Sequence, residues 1–175
     1  MQNTFEPLAQ SASDPGLPLP ELPKLRFAVG TFDSWAQLRE ALRDARARGL
    51  VLDSFNCVGL ERVFAGKTIL APSQQIVSLR ELPFQDDFER IVCTSGPLAD
   101  CLMERFQAGA DSLKEALATW LITRHAAHLE QAVGAGKILL WIRVADAHDE
   151  RRAYQTLLAH SSNSVGVHDF VLPND

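Results

Sequence analysis

Histidine and cysteine are the side chains best suited to hold a metal ion or move a proton near neutral pH. In this chain they cluster once: His125 and His128 lie three residues apart, with Glu130 just after. On a helix that spacing puts both imidazoles on one face, where they can reach a single metal ion. Two ligands do not complete a site, so Cys93, Cys101 or His148 would have to join them from elsewhere. Two ordinary histidines near a helix start are the plainer reading, and His125 and His128 stand as the metal candidates. His148-Asp149-Glu150 has the composition of an acid–base set, but adjacent helical residues do not face one another. That tripeptide reads instead as the acidic start of a helix. His168 and Asp169 are neighbours in a strand, so they point to opposite faces and do not form a pair.

The three thiols, Cys57, Cys93 and Cys101, form no CxxC motif and are too few for a disulfide framework. Cys57 and Cys101 sit in apolar patterns, where free cysteine packs as a small hydrophobe. Cys93, beside Thr94-Ser95-Gly96 at a helix start, is the thiol whose pKa a helix terminus could lower. No GxGxxG and no P-loop follows the first strand, so nucleotide cofactors are not expected. No nucleophile, base and orienter can be assembled from the pattern, which leans the reading away from an enzyme.

The elements that must position these residues are legible as alternating patterns. Residues 1–23 hold five prolines among small polar residues and read as an extended tail. The domain spans 24–175. Leu25, Phe27 and Val29 alternate as a strand with one buried face, and Ser34 with Gln37 has capping-box spacing for a helix over 34–48. Gly49 suits the left-handed residue that ends it. A second strand is expected over 50–58. A hairpin is expected from 61–64 and 67–70 around Ala65-Gly66. A short strand follows at 76–79, and 81–94 carries no clear pattern.

Three helices come next, capped by Ser95, by Asp111 or Ser112, and by Thr123. Residues 137–144 are apolar at nearly every position, Leu139 and Trp141 included, which marks a strand covered on both faces. Asp146 caps a helix over 147–160 with Tyr154, Leu157 and Leu158 toward the core. A last strand runs over 165–172. Trp35, Trp120 and Trp141 read as core residues.

The two ends of the chain therefore repeat a strand, an acidic helix start and a helix, each leading to another strand. The expected fold is α+β: a ferredoxin-like βαβ-βαβ sandwich with an antiparallel sheet, its two frame helices on one face, and a helical and hairpin insertion over 60–136. The stretch Ala28-Val29-Gly30-Thr31-Phe32-Asp33-Ser34 and the run from Leu129 through Gly134-Ala135-Gly136-Lys137 to Val144 resemble the bacterial heat-induced general stress protein family. That resemblance implies a stress-associated domain and transfers no catalytic residue. The family's glycine-rich apolar stretch is replaced here by a segment with Asp100, Glu104, Arg105, Asp111, Lys114 and Glu115.

Composition bounds the function further. The 175 residues are 46% hydrophobic and 22% charged, with a formal charge of -5 and a pI near 5.5. That balance argues against nucleic acid as a partner, and no run is long and apolar enough for a membrane span. Sparse thiols suit a cytoplasmic location. The expected role is a non-enzymatic binding or regulatory module without a cofactor, acting on a small ligand, a protein or itself. A small metal- or ligand-dependent enzyme in the insertion is the rival. A homodimer is expected, joined by the second sheet face or by the insertion helices, because that face would otherwise stand exposed.

Overall fold

The computed structural model describes residues 23–67, 75–84, 87–163 and 165–172. The expected tail, apart from Pro23, and residues 68–70 of the expected hairpin lie outside them. The chain runs β1 (Lys24–Phe32), α1 (Trp35–Ala47), β2 (Phe55–Leu60), α2 (Glu61–Phe64), β3 (Ile76–Phe84), β4 (Asp87–Thr94), α3 (Pro97–Gln107), α4 (Leu113–Leu117), α5 (Thr123–Gly134), β5 (Ile138–Val144), α6 (Ala147–His160) and β6 (Gly166–Val171). The strands form one sheet in the order β3-β4-β2-β5-β1-β6. Every neighbouring pair is antiparallel. The fold is thus mixed α+β, with a six-stranded antiparallel sheet and six α-helices among the described residues.

Both neighbours of β5 run against it, so β1 and β2 point the same way with β5 between them. Likewise β5 and β6 run together with β1 between them. The two strand-helix-strand units at the chain ends therefore interleave. Ser34 starts α1 by accepting from the Gln37 amide at 3.2 Å, and the Gln37 side chain accepts from the Asp33 amide at 3.0 Å. This is the capping pair that the spacing implies, with the Gln37 side chain reaching one residue past the cap to Asp33. Asp146 does the same for α6, accepting from the Asp149 amide at 2.8 Å. Gly49, at φ +90°, turns the chain just past α1.

The sheet carries helices on both faces. Ala28, Phe55, Leu140 and Ile142 pack against Leu38 of α1 and Leu157 of α6. On the other face Phe27, Val58, Leu139 and Trp141 pack against α3, α4 and α5. β1 is accordingly buried on both faces, not one, from Phe27 to Phe32. The expected role of the second sheet face in a dimer is overturned, because Trp141 is 0% exposed beneath the chain's own helices.

Local expectations are corrected in several places. Leu50 precedes a 3-10 turn at Leu52–Ser54, and β2 begins only at Phe55. Glu61–Phe64 is a helical turn, not a hairpin arm. Alternation would send Val63 and Phe64 to opposite sides, whereas Phe64 is buried and meets Trp35 edge-on at 6.0 Å. The real hairpin is β3–β4, which widens the sheet. Ser95 does not cap α3. Its hydroxyl accepts from the Gln75 amide at 3.2 Å, and Gly96 is the residue before the helix. Ile122, not Thr123, precedes α5. On α6 the buried stripe is Ala153, Thr156 and Leu157, which leaves Tyr154 and Leu158 exposed.

Arg26 ties β1, β6 and α6 together. Its Nε and Nη2 donate to Glu150 at 2.9 and 3.1 Å, and its Nη1 donates to Asp169 at 2.9 Å. The network is partly solvated, so its value is modest. The Arg26→Gln variant is expected to lose about 1 kcal/mol in urea unfolding, and less in high salt. Trp141→Ala, by contrast, should lose about 3–5 kcal/mol, because no neighbouring group can collapse into a void left under two layers.

Candidate functional site

β6 carries Gly166, His168 and Phe170 on the face covered by the insertion, with Asp169 pointing away toward Arg26. The expectation that His168 and Asp169 diverge therefore holds. His168 meets a residue the linear pattern did not connect to it: its ring lies on that of His125 from α5, centroids 4.9 Å apart. Both Nε2 atoms are buried without a partner among the described residues. They converge over Gly166, where a Cβ would stand 2.6 Å from the His168 Nε2 and 3.4 Å from the His125 Nε2. A Cβ there would collide with the His168 ring and meet the His125 ring at ordinary contact distance, so glycine is favoured by the close approach of His168 and not by its backbone angle.

His125 also faces outward. It lines a cleft of about 600 Å³ on α5 with Ile122, Arg124, Ala127, His128 and Gln131. His128 stands exposed on that rim. The sequence pair His125 and His128 thus shares a cleft, but the ring pair is His125 with His168. Cys93 and Cys101 are buried on β4 and α3. Among the described residues no three or more His, Cys, Asp or Glu side chains are placed to share a metal ion.

The polar atoms continue inward along one row of the sheet. Gly166 pairs with Val29, Val29 with Trp141, and Trp141 with Asn56. The Trp141 ring lies 6.5 Å from that of His168. Its Nε1, and both amide atoms of Asn56, are buried and unpartnered. Asn56 is 1% exposed. Its Oδ1 sits against Gly96, 2.8 Å from where a Cβ would stand, at the start of α3. Gly96 has φ +148°, and among the described residues no side chain caps that helix. Buried polar atoms are nearly always satisfied in folded proteins, so such a row on one face is a marked feature. Trp120 closes it from above, stacked on Phe170 at 4.3 Å and donating to the Val171 carbonyl at 3.2 Å.

Burial sets the charge state of these groups. It pushes the His168 pKa down to about 4, with His125 and Arg26 adding to the effect and Asp169 opposing it. Burial, then His128, lowers His125 as well. The pair is therefore neutral at physiological pH. Cys93 is not activated by its helix terminus: burial, Cys57 and Asp100 push its pKa well above the ordinary thiol value. Cys57 is pushed to about 12 by burial alone. Cys101 is pushed to about 11 by burial and the nearby Glu104 and Asp100. A second cleft, of about 400 Å³, is lined by Lys24, Arg26, Arg143 and Glu150 among others, and its Arg26 is already committed to carboxylates.

No family model, no curated protein and no solved structure matches this chain.

The histidine pair gives the fold a pH dependence of definite sign. His168 titrates near 6.5 when unfolded and near 4 when folded. Between those values the unfolded chain holds a proton that the folded chain refuses, so stability is full above about pH 6.5 and is lost as pH falls toward 4. Urea midpoints at pH 7 and 4.5 should show this loss, and His168→Phe should shrink it. An unchanged slope in that variant would count against the buried neutral pair.

Proposed function

We propose that this protein is a non-catalytic binding module for a small ligand, built on a ferredoxin-like frame. The observation that carries this reading is the row of unpartnered buried polar atoms from His125 and His168 through Trp141 to Asn56. It begins beside the α5 cleft and ends at an uncapped helix start. Convergent polar groups in an otherwise apolar setting are what a small-ligand site requires. The frame reading is supported by the order β2-β5-β1-β6 and its two interleaved strand-helix-strand units, the arrangement of split βαβ folds. A stress-associated regulatory role is what the resemblance to the heat-induced general stress proteins implies, and the sparse thiols suit a cytoplasmic location. A homodimer, on this reading, joins through outer helix surfaces or the sheet edges at β3 and β6, since the sheet is covered on both faces.

A screen of small polar compounds by NMR tests the reading. Binders are expected to move the His125 and His168 ring protons and the Trp141 indole N–H together. His168→Phe should weaken them at least tenfold, about 1.4 kcal/mol. Binders that consistently move other regions would refute it. Metal content separates the rival reading: purified protein should hold well under one equivalent of transition metal. One equivalent that disappears in the His125→Ala/His128→Ala variant would establish a metal-dependent site instead.

A further inference from the structure

α5 covers the sheet with Ala126, Leu129, Ala132 and Val133 and turns its other side outward. Ile122, just before the helix, is 75% exposed, more than any other large apolar side chain among the described residues. It opens the cleft of about 600 Å³ that continues along Arg124, Ala127, His128 and Gln131. Those four positions fall at i, i+3, i+4 and i+7, one stripe of a helix. No described carboxylate lines the cleft, and the one acid of α5, Glu130, accepts from the Lys114 amide at 2.8 Å. The first turn of α5 holds no acidic residue either, so its positive end and Arg124 stand unbalanced. The face is apolar at its entrance and short of negative charge along its length.

The chain itself supplies a segment of complementary character. Residues 1–22 contain Glu6, Asp14 and Glu21 but no lysine or arginine. Within them, residues 14–22 join Asp14 and Glu21 to Leu17, Leu19 and Leu22. Pro15 with Pro18, and Pro20 with Pro23, have the PxxP spacing of segments that dock on aromatic side chains. The point of departure is set by the fold. The Pro23 carbonyl accepts from the Leu172 amide at 2.8 Å, next to the Val171 carbonyl that takes the Trp120 indole. Leu172 and Trp120 are both partly buried against the insertion-side core. Stacked on Phe170, Trp120 is a fixed aromatic surface at the exit, and Ile122 lies two residues on, at most about 7 Å away. Nine residues in polyproline form span about 28 Å, against about 14 Å of helix from Ile122 to Gln131. The segment is long enough to reach the whole cleft.

We propose that residues 14–22 dock along the outer face of α5, with their prolines and leucines on Trp120 and Ile122 and their carboxylates beside Arg124. Tethering supplies an effective concentration of about millimolar, so weak contacts suffice. The cleft is the one from which the binding reading starts, but the docking stands without that reading.

Cys57, Cys93 and Cys101 are buried, so a nitroxide on Ser13→Cys marks one place in the ¹⁵N-labelled full chain. The amides of Arg124, Ala127, His128 and Gln131 should lose most of their intensity, and those of α1 and α6 on the opposite face should keep theirs. Arg124→Glu at its exposed position, and separately Leu17→Ser/Leu19→Ser, should each restore the α5 signals. Spin-labelled chain mixed with unmodified ¹⁵N-labelled chain should leave those signals intact. Broadening in the mixture would make a second copy the occupant and overturn the proposal. Broadening elsewhere, none at all, or broadening that both variants leave unchanged would also overturn it. If α5 broadens but no compound binds at His125 and His168, the binding reading fails alone. If compounds bind there and α5 does not broaden, the docking fails alone.

Discussion

The structure depends on the burial of β5 on both of its faces. From Ile138 to Ile142 every residue is buried, and only Arg143 breaks the run. A strand of that kind cannot end a two-layer sandwich with one face in water, because each large apolar side chain left exposed forfeits about 1.5–3 kcal/mol. The interleaved frame supplies α1 and α6 for one face only. The segment between the frame halves must therefore supply the other cover, and α3, α4 and α5 do so. The insertion is in this sense a structural requirement of β5, and the cleft and polar row exist because that cover is laid over a strip that is not wholly apolar.

The cost of the strip shows why it matters. An unsatisfied buried polar group costs about 1–3 kcal/mol, and the fully buried Asn56 and Trp141 together weigh on a net stability that for a small domain is about 5–15 kcal/mol. An apolar residue at Asn56 would have avoided its share without changing the strand. Asn56 instead interrupts Phe55-Asn56-Cys57-Val58, in which every residue is buried. Gly166 lets the His168 imidazole lean over the backbone, where a Cβ would collide with it. Features that weaken a fold locally, and that lie along one line, point to a use beyond folding.

Much of the frame was legible in the sequence, and the reasons are local. The capping box at Ser34 and Gln37, the cap at Asp146, the turn at Gly49 and the two-faced apolar run of β5 each carry their signal within a few residues. The misread pieces are those decided by distant partners. Phe64 turns helical because Trp35 waits for it, and Ser95 leaves the cap of α3 to hold Gln75. The β3–β4 hairpin was opaque because charged residues such as Arg80, Glu81, Glu89 and Arg90 interrupt its alternation; Arg90 and Glu81 pair across the two strands at 3.2 Å. Of the candidate site, the sequence offered His125 through its helical neighbour His128. Its real partner, His168, lies on the last strand, and no spacing rule connects them. One signal could have led further: a lone asparagine inside an apolar strand.

The same groups also fix what kind of chemistry the site can perform. A nucleophilic role needs a thiolate, and all three thiols are pushed the other way by burial. A general base needs an orienting carboxylate, but Asp169 lies across the strand from His168 and is bound by Arg26. The imidazoles are kept neutral by burial, with His128 adding to the effect at His125 and His125 and Arg26 adding to it at His168, so they can donate or accept a hydrogen bond without changing charge near neutral pH. Neutral rings, an indole donor and a side-chain amide are dipoles that carry no net charge. Recognition through fixed dipoles in a dry setting is strong because little solvent competes and little must reorganise. On the binding reading proposed above, that is the strength with which the module would hold its ligand.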